Sequence, residues 1–178
     1  RVDSQGKRAL VLGGYGLVGM AVCRGLLGHR PARLTVGSLR QDEALVAVGR
    51  LRSEFPEARI VPVWGDLLLR AEWQAAPAGV HPRVAVLADV IKRRRLVADI
   101  LDELDEDILI SSFLFQVITG TSAGLEGHPA DIVVDCVNTA TAVAYQNVFQ
   151  LAHRLQERIV EKQVTDWPEE VERLLAAL

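Results

Sequence analysis

The run Gly13-Gly14-Tyr15-Gly16-Leu17-Val18-Gly19 constrains this chain more than any other stretch. Before it stands a short apolar segment, Arg8 to Leu12, that reads as a strand buried on both faces. After it, Leu17 to Leu27 carries Leu17, Val18, Ala21, Val22 and Leu26 at helical spacing and stops near Gly28. The backbone must therefore pass from a buried strand into a helix within a few residues. The glycines fit G-x-G-x-x-G as Gly14, Gly16 and Gly19, and G-x-x-G-x-x-G as Gly13, Gly16 and Gly19. In either spacing one glycine permits the tight turn, Gly16 lets backbone approach a bound group without a Cβ, and Gly19 lets the helix sit close on the strand.

The alternation continues. A second strand is expected at Arg33 to Val36, and a helix from Asp42 to Phe55 with Ala44, Leu45, Val48, Leu51 and Phe55 as its apolar stripe. A third strand follows at Arg59 to Trp64, ending in Gly65-Asp66. This β-α-β-α-β order with short connections predicts an α/β fold of Rossmann type, a doubly wound parallel sheet with helices on both faces. Regularity then fails: residues 67–103 read as an insertion between strands three and four, containing Pro77, Gly79, Pro82 and the cluster Lys92-Arg93-Arg94-Arg95, expected to be a solvated turn. Leu96 to Ile118 reads as one helix whose last third faces the sheet, 119–130 as a loop, and Asp131 to Val137 as a fourth, buried strand. A long helix from about Thr141 to Lys162 and a short one after Pro168 complete the expectation.

In this context the glycine run predicts a dinucleotide site, because the N-terminus of the first helix offers unpaired N–H groups and partial positive charge to a pyrophosphate. A glycine-rich turn without ligand is the plainer alternative. The end of the second strand decides which dinucleotide. An Asp or Glu there would accept from ribose hydroxyls; this chain has Gly37-Ser38-Leu39-Arg40, and Ser38 and Arg40 can donate to a 2′-phosphate. NADP is therefore expected, with NAD the alternative if Asp42 or Glu43 reaches back to the ribose. Asp66 is placed to accept from an adenine amino group or to cap a turn. Asn138 and Thr139, with Ala140, end strand four at a sheet edge where ligands bind, or cap the next helix.

These residues resemble the short-chain dehydrogenase/reductase superfamily, its extended and atypical members in particular, over about Lys7 to Val160. The resemblance rests on the glycine run, on Gly65-Asp66-Leu67, and on Asp131 to Ala140. It implies that Leu17 and Val18 line the phosphate loop, that Asp66 and Leu67 contact adenine, and that Asn138, Thr139 and Ala140 lie along the nicotinamide-side ribose. Gly-Gly-Tyr-Gly also looks like the NADP-binding half of saccharopine-dehydrogenase-like reductases. The family's Tyr-x-x-x-Lys pair is missing: four residues after Tyr15 and Tyr145 stand Gly19 and Phe149. No catalytic residue is assigned. The expectation is the NADP(H)-binding domain of an oxidoreductase, one domain over 1–178 and the N-terminal part of a larger protein, beginning at Arg1 without Met. A non-catalytic NADP-sensing or scaffold module is the alternative.

Composition narrows the partners. Twenty Lys and Arg against twenty-three Asp and Glu leave no basic surplus for nucleic acid, and the apolar stretch Ile108 to Ile118 is about half the ~20 residues of a membrane helix. A cytoplasmic protein is expected, without nucleic acid or membrane, acting on a small molecule the sequence does not identify; homo-oligomerisation is left open. His29, His81, His128 and His153 are scattered, so no metal is expected, and Cys23 and Cys136 read as buried reduced thiols.

Overall fold

The computed structural model describes residues 4–77, 79–137 and 157. Two compact units divide the chain, residues 1–96 with 104–137, and 97–103 with 138–178. The first carries β1 (Arg8–Leu12), α1 (Leu17–Leu27), β2 (Arg33–Ser38), α2 (Gln41–Glu54), β3 (Ile60–Trp64), α3 (Pro82–Ala88), most of α4 (Val90–Leu101), α5 (Glu106–Ser111), α6 (Phe113–Thr119) and β4 (Ile132–Asp135). Of the second, the described part is the last turn of α4, Glu103 with its neighbours, and Glu157.

All four strands are parallel, in the order β3-β2-β1-β4. Chain direction across the sheet thus reverses between β1 and β4, the crevice where doubly wound sheets bind ligands at their carboxyl ends. Strand alternation sends β1 residues to opposite faces. Ala9 and Val11 pack with Met20, Cys23 and Leu27 of α1 and Ala47, Val48 and Leu51 of α2. Leu10 and Leu12 pack with Phe113 and Val117 of α6 and with Leu125. Both faces are covered: β1 is apolar from Ala9 to Leu12, and β2 is buried from Arg33 to Gly37 although Arg33 and Thr35 are polar. The inserted region has a core of its own, Leu69, Trp73, Val86 and Leu96.

Several expectations need correction. Leu96 to Ile118 is not one helix: α4 ends at Leu101, and α5 and α6 follow as separate short helices. Asp105 accepts from the Ile108 N–H at 2.7 Å and Ser112 from the Phe115 N–H at 3.4 Å, so two polar residues inside the expected helix are instead caps that start two new ones. Of these three, α6 is the one whose Phe113 and Val117 pack with Leu10, Leu12 and Val63 of the sheet. Lys92 to Arg95 lie within α4 rather than in a turn; Arg95 does pair with Asp107, which Arg70 also holds at 2.9 Å. The fourth strand spans four residues rather than seven, and its side chains are half-buried or exposed, with Ile132 and Val134 packed against the α1 side of the core. Cys136 lies past its end and is half-buried, whereas Cys23 is fully enclosed and burial pushes its thiol up to about 12. The helices expected after Thr141 lie outside the described residues.

At the amino edge of the sheet, Arg8 and Asp131 lock β1 to the entry of β4. The guanidinium donates to both carboxylate oxygens at 2.8 and 2.9 Å, the Arg8 N–H donates to Oδ2 at 2.8 Å, and the Asp131 N–H returns a bond to the Arg8 carbonyl at 2.8 Å. Beside it, buried Arg33 donates to the carbonyls of Leu125 and His128 at 3.0 and 2.8 Å, tying the loop before β4 to β2. The side-chain and backbone donors of Arg8 hold the Asp131 carboxyl well below the usual carboxylate range. A carboxyl depressed by folding stabilises above its ordinary value, and that stabilisation disappears as pH falls through the folded value. Asp131→Asn should therefore lower the melting temperature at pH 7, and the gap from wild type should shrink steadily as melts are repeated below about pH 4.

Candidate functional site

The loop between β1 and α1 is set by where a Cβ cannot go. Gly13 has φ +70°, and a Cβ there would come within 2.9 Å of the Cys136 carbonyl and the Val137 nitrogen. A Cβ on Gly19 would stand 2.2 Å from the Gly13 carbonyl oxygen and 2.7 Å from the Gly14 Cα, so α1 lies directly against the loop that precedes it. The Gly14 N–H donates to the Gly37 carbonyl at 2.8 Å, which joins the loop to β2.

Gly16 differs from these. Its φ of −62° and ψ of 165° suit any L-residue, and a Cβ would meet only the Gly13 carbonyl at 3.4 Å, an ordinary contact. Among the described residues nothing in the packing requires glycine at this place. Gly16 is also the N-cap of α1, and it caps nothing: α1 has no side-chain cap and no acidic residue in its first turn. By contrast α3, α5 and α6 are capped by His81, Asp105 and Ser112. The N–H groups of Leu17, Val18 and Gly19 come too early in α1 for an intrahelical acceptor, and the positive end of the helix is uncompensated. Leu17 and Val18 are 92% and 64% exposed, and Tyr15 is exposed beside them. The geometry is that of an anion cradle: open backbone donors, no Cβ over them, at the carboxyl end of β1 near the reversal of strand order.

At the end of β2 both predicted donors are engaged by carboxylates. Ser38 Oγ donates to Glu43 Oε2 at 2.7 Å, and Arg40 forms a two-pronged pair with Asp42 at 2.6 and 3.0 Å. Arg40 and Asp42 are largely exposed, the partnership raising the guanidinium pKa and lowering that of the carboxyl. Solvent screens such a pair, so either side chain can turn to another partner at little cost.

Asp66 is tied on every side. It is 2% exposed; Arg83 donates to both its oxygens at 2.7 and 2.8 Å, and the Leu68 N–H to Oδ1 at 3.1 Å. Gln74 spans its backbone, accepting from the Asp66 N–H at 2.8 Å and donating to its carbonyl at 2.9 Å. Its carboxylate thus serves the turn after β3 and anchors the start of α3. Leu67 is half-buried against the α6 side of the core. Around this turn an open cleft of about 630 Å³ lies at the carboxyl ends of β2 and β3, lined by Leu39, Arg40, Trp64, Gly65, Asp66 and His81 among others. Trp64 is the residue that reading the sequence missed. Its only signal was an aromatic at the last position of a strand. Asn138, Thr139 and Ala140 lie outside the described residues. Among the described residues no group of three or more His, Cys, Asp or Glu is placed to hold a metal ion, and no helix is long and apolar enough to cross a membrane.

No protein-family profile and no curated protein matches the chain. Among solved structures, it is similar to the X-ray structure of Pen from Bacillus thuringiensis, with 15% identity and a TM-score of 0.34, over 75% of this chain and 51% of that one. The chain therefore spans about half the length of that neighbour.

The two glycines separate in a stability measurement. Gly19→Ala should destabilise by about 1–3 kcal/mol, since the clash is with backbone that cannot rotate away. Gly16→Ser should leave the melting temperature unchanged or raise it slightly, because serine is a better N-cap than glycine at an ordinary φ. Thermal or denaturant melts of the two variants check both.

Proposed function

We propose that this chain is the dinucleotide-binding domain of an oxidoreductase similar to the short-chain dehydrogenases, taking NADP(H) with its pyrophosphate on the N-terminus of α1. The observation that carries this reading is Gly16, the loop glycine whose missing Cβ serves no packing need among the described residues and clears the way to uncapped helix donors. A bound nicotinamide dinucleotide would supply hydride transfer, and the chain's share is binding and orientation. Leu17, Val18 and Gly19 would donate backbone N–H groups to the phosphates, while Tyr15 and the exposed side chains of Leu17 and Val18 would exclude water beside them. Arg40, exposed and paired with solvated Asp42, would turn to the 2′-phosphate with Ser38 beside it.

The bond from Ser38 to Glu43 favours a second reading of the same site. A carboxylate already seated at the end of β2 would accept from ribose hydroxyls and repel a 2′-phosphate, which makes the cofactor NAD. Calorimetric titration of NADPH and NADH decides between the two. On the NADP reading Arg40→Asp weakens NADPH by at least about tenfold and NADH by less than about threefold, while Glu43→Gln leaves NADPH intact or tighter. On the NAD reading Glu43→Gln weakens NADH about tenfold, and Arg40→Asp leaves it unchanged.

Gly16→Ser tests the dinucleotide reading as a whole. The serine hydroxyl would accept from the first-turn N–H groups that the pyrophosphate needs, so the variant should hold its stability and lose at least about tenfold in affinity for either dinucleotide. Undiminished binding to Gly16→Ser, or no binding of either dinucleotide to wild type, would sink the proposal.

A further inference from the structure

We propose that the corner where α3 meets α4 is a docking surface for a bilayer carrying anionic lipid headgroups, with Leu87, Val90 and Ile91 entering the headgroup layer and Lys92 and Arg94 meeting the acidic groups around them. The corner lies in the inserted region, and its use of lipid is independent of any dinucleotide.

All residues from Leu87 to Arg95 are exposed, and all belong to the first compact unit. Two abutting helix ends with solvent around them form a projecting corner rather than a groove. Each helix is anchored from within, α3 by Val86 and α4 by Leu96, which belong to the core of the inserted region. The other apolar side chains point away from that core. Val84, Leu87 and Val90 are exposed, and Ile91 is 81% exposed. At about 3.6 residues per turn, Val84 stands opposite Val86 on α3, and Ile91 and Arg94 stand opposite Leu96 on α4. Exposed apolar residues scattered singly are ordinary, but Val84, Leu87, Val90 and Ile91 fall within two helical turns and make a patch, which marks a contact surface.

The charges beside the patch decide what it meets. Leu87 to Arg95 carries the cations Lys92, Arg93, Arg94 and Arg95 against the carboxylate of Asp89, in a chain whose formal net charge is −3. Asp89 is turned to the backbone of α4: its Oδ1 accepts from the N–H groups of Ile91 and Lys92 at 2.9 and 3.1 Å. Arg93 and Arg95 hold the corner in shape, Arg93 donating to the Leu87 carbonyl at 2.8 Å and Arg95 pairing with Asp107. Arg94 shares the outer side of α4 with Ile91, and Lys92 follows it. Positive charge beside exposed leucine, valine and isoleucine is complemented by an anionic bilayer, whose headgroups take the cations while the layer beneath takes the apolar tips. A nucleic acid would answer the charge and leave Ile91 in water. Lying on a bilayer needs no spanning helix, and among the described residues no helix is long and apolar enough to be one.

Vesicle flotation of the full chain is the test. The chain should float with phosphatidylcholine vesicles containing about 30% phosphatidylserine and stay in solution with phosphatidylcholine alone, and raising the salt from about 0.1 to about 0.5 M should release it. Each cation near an anionic surface strengthens partition about fivefold, so Lys92→Gln combined with Arg94→Gln should weaken binding by at least about tenfold. Ile91→Ser should weaken it by at least about fivefold. These side chains are exposed, so the variants should melt at the wild-type temperature. Ile91→Trp puts a reporter at the tip, and its emission, taken as the difference from wild type, should shift to the blue on the anionic vesicles. Three results would overturn the proposal: no flotation with anionic vesicles, flotation undiminished in Ile91→Ser, or unshifted Ile91→Trp emission on vesicles that carry the chain. Binding to single-stranded DNA as tight as to anionic vesicles, and indifferent to Ile91→Ser, would make the corner a patch for polyanions and remove the lipid as well.

Discussion

Everything at the carboxyl edge of the sheet depends on one backbone approach, that of Gly19 in α1 to the carbonyl of Gly13. With a Cβ position only 2.2 Å from that oxygen, the helix rests on the loop that feeds it, and no larger residue keeps the same spacing. The closeness brings Met20, Cys23 and Leu27 down onto Ala9 and Val11, so the packing of one sheet face and the direction of the helix dipole follow from a single contact. Gly13 repeats the arrangement on the other side, where the end of β4 passes within touching distance of it.

That local crowding explains why the first half of the fold could be read from the residues alone. From Arg8 to Trp64 each helix carries its apolar stripe to one face of the sheet and each strand is short, largely buried and bounded by turn residues, so propensity, periodicity and turn chemistry agree. After Trp64 the same signals conflict. Asp105 and Ser112 sit in a region whose apolar spacing is helical, yet each caps a new helix, and Ser112 is held extended by a bridge to Arg70. A cap and a polar helix face are the same residue types; only a tertiary partner tells them apart. Asp107 repeats the ambiguity. It reads as solvated helix charge, and its partners are Arg70, thirty-seven residues earlier, and Arg95.

The candidate site divides along the same line. The glycines were legible because their requirement is steric and local. The charged residues were not, because what a charge does depends on which opposite charge the fold delivers. Ser38 and Arg40 read as donors awaiting a phosphate, but α2 brings Glu43 to one while Asp42 turns to the other. Asp66 read as an acceptor awaiting a base, but the start of α3 brings Arg83 to it. At Asp66 the partner comes from seventeen residues on, in the inserted region, and the sequence does not announce it; at Ser38 and Arg40 the carboxylates are neighbours in the sequence, and what the residues alone leave open is which group each of them meets.

These engagements are not equivalent, and the difference lies in solvent. The Arg40–Asp42 pair is more than 60% exposed on each side, so water can replace either partner as fast as a side chain rotates. The Asp66–Arg83 pair places its carboxylate at 2% side-chain exposure, and breaking it would strand a charge away from water. A ligand arriving at the cleft would therefore compete on favourable terms for Arg40 and on unfavourable terms for Asp66. Burial separates the two: Arg40 can exchange its carboxylate for another partner at little cost, and Asp66 belongs to the architecture that holds β3 and α3 together.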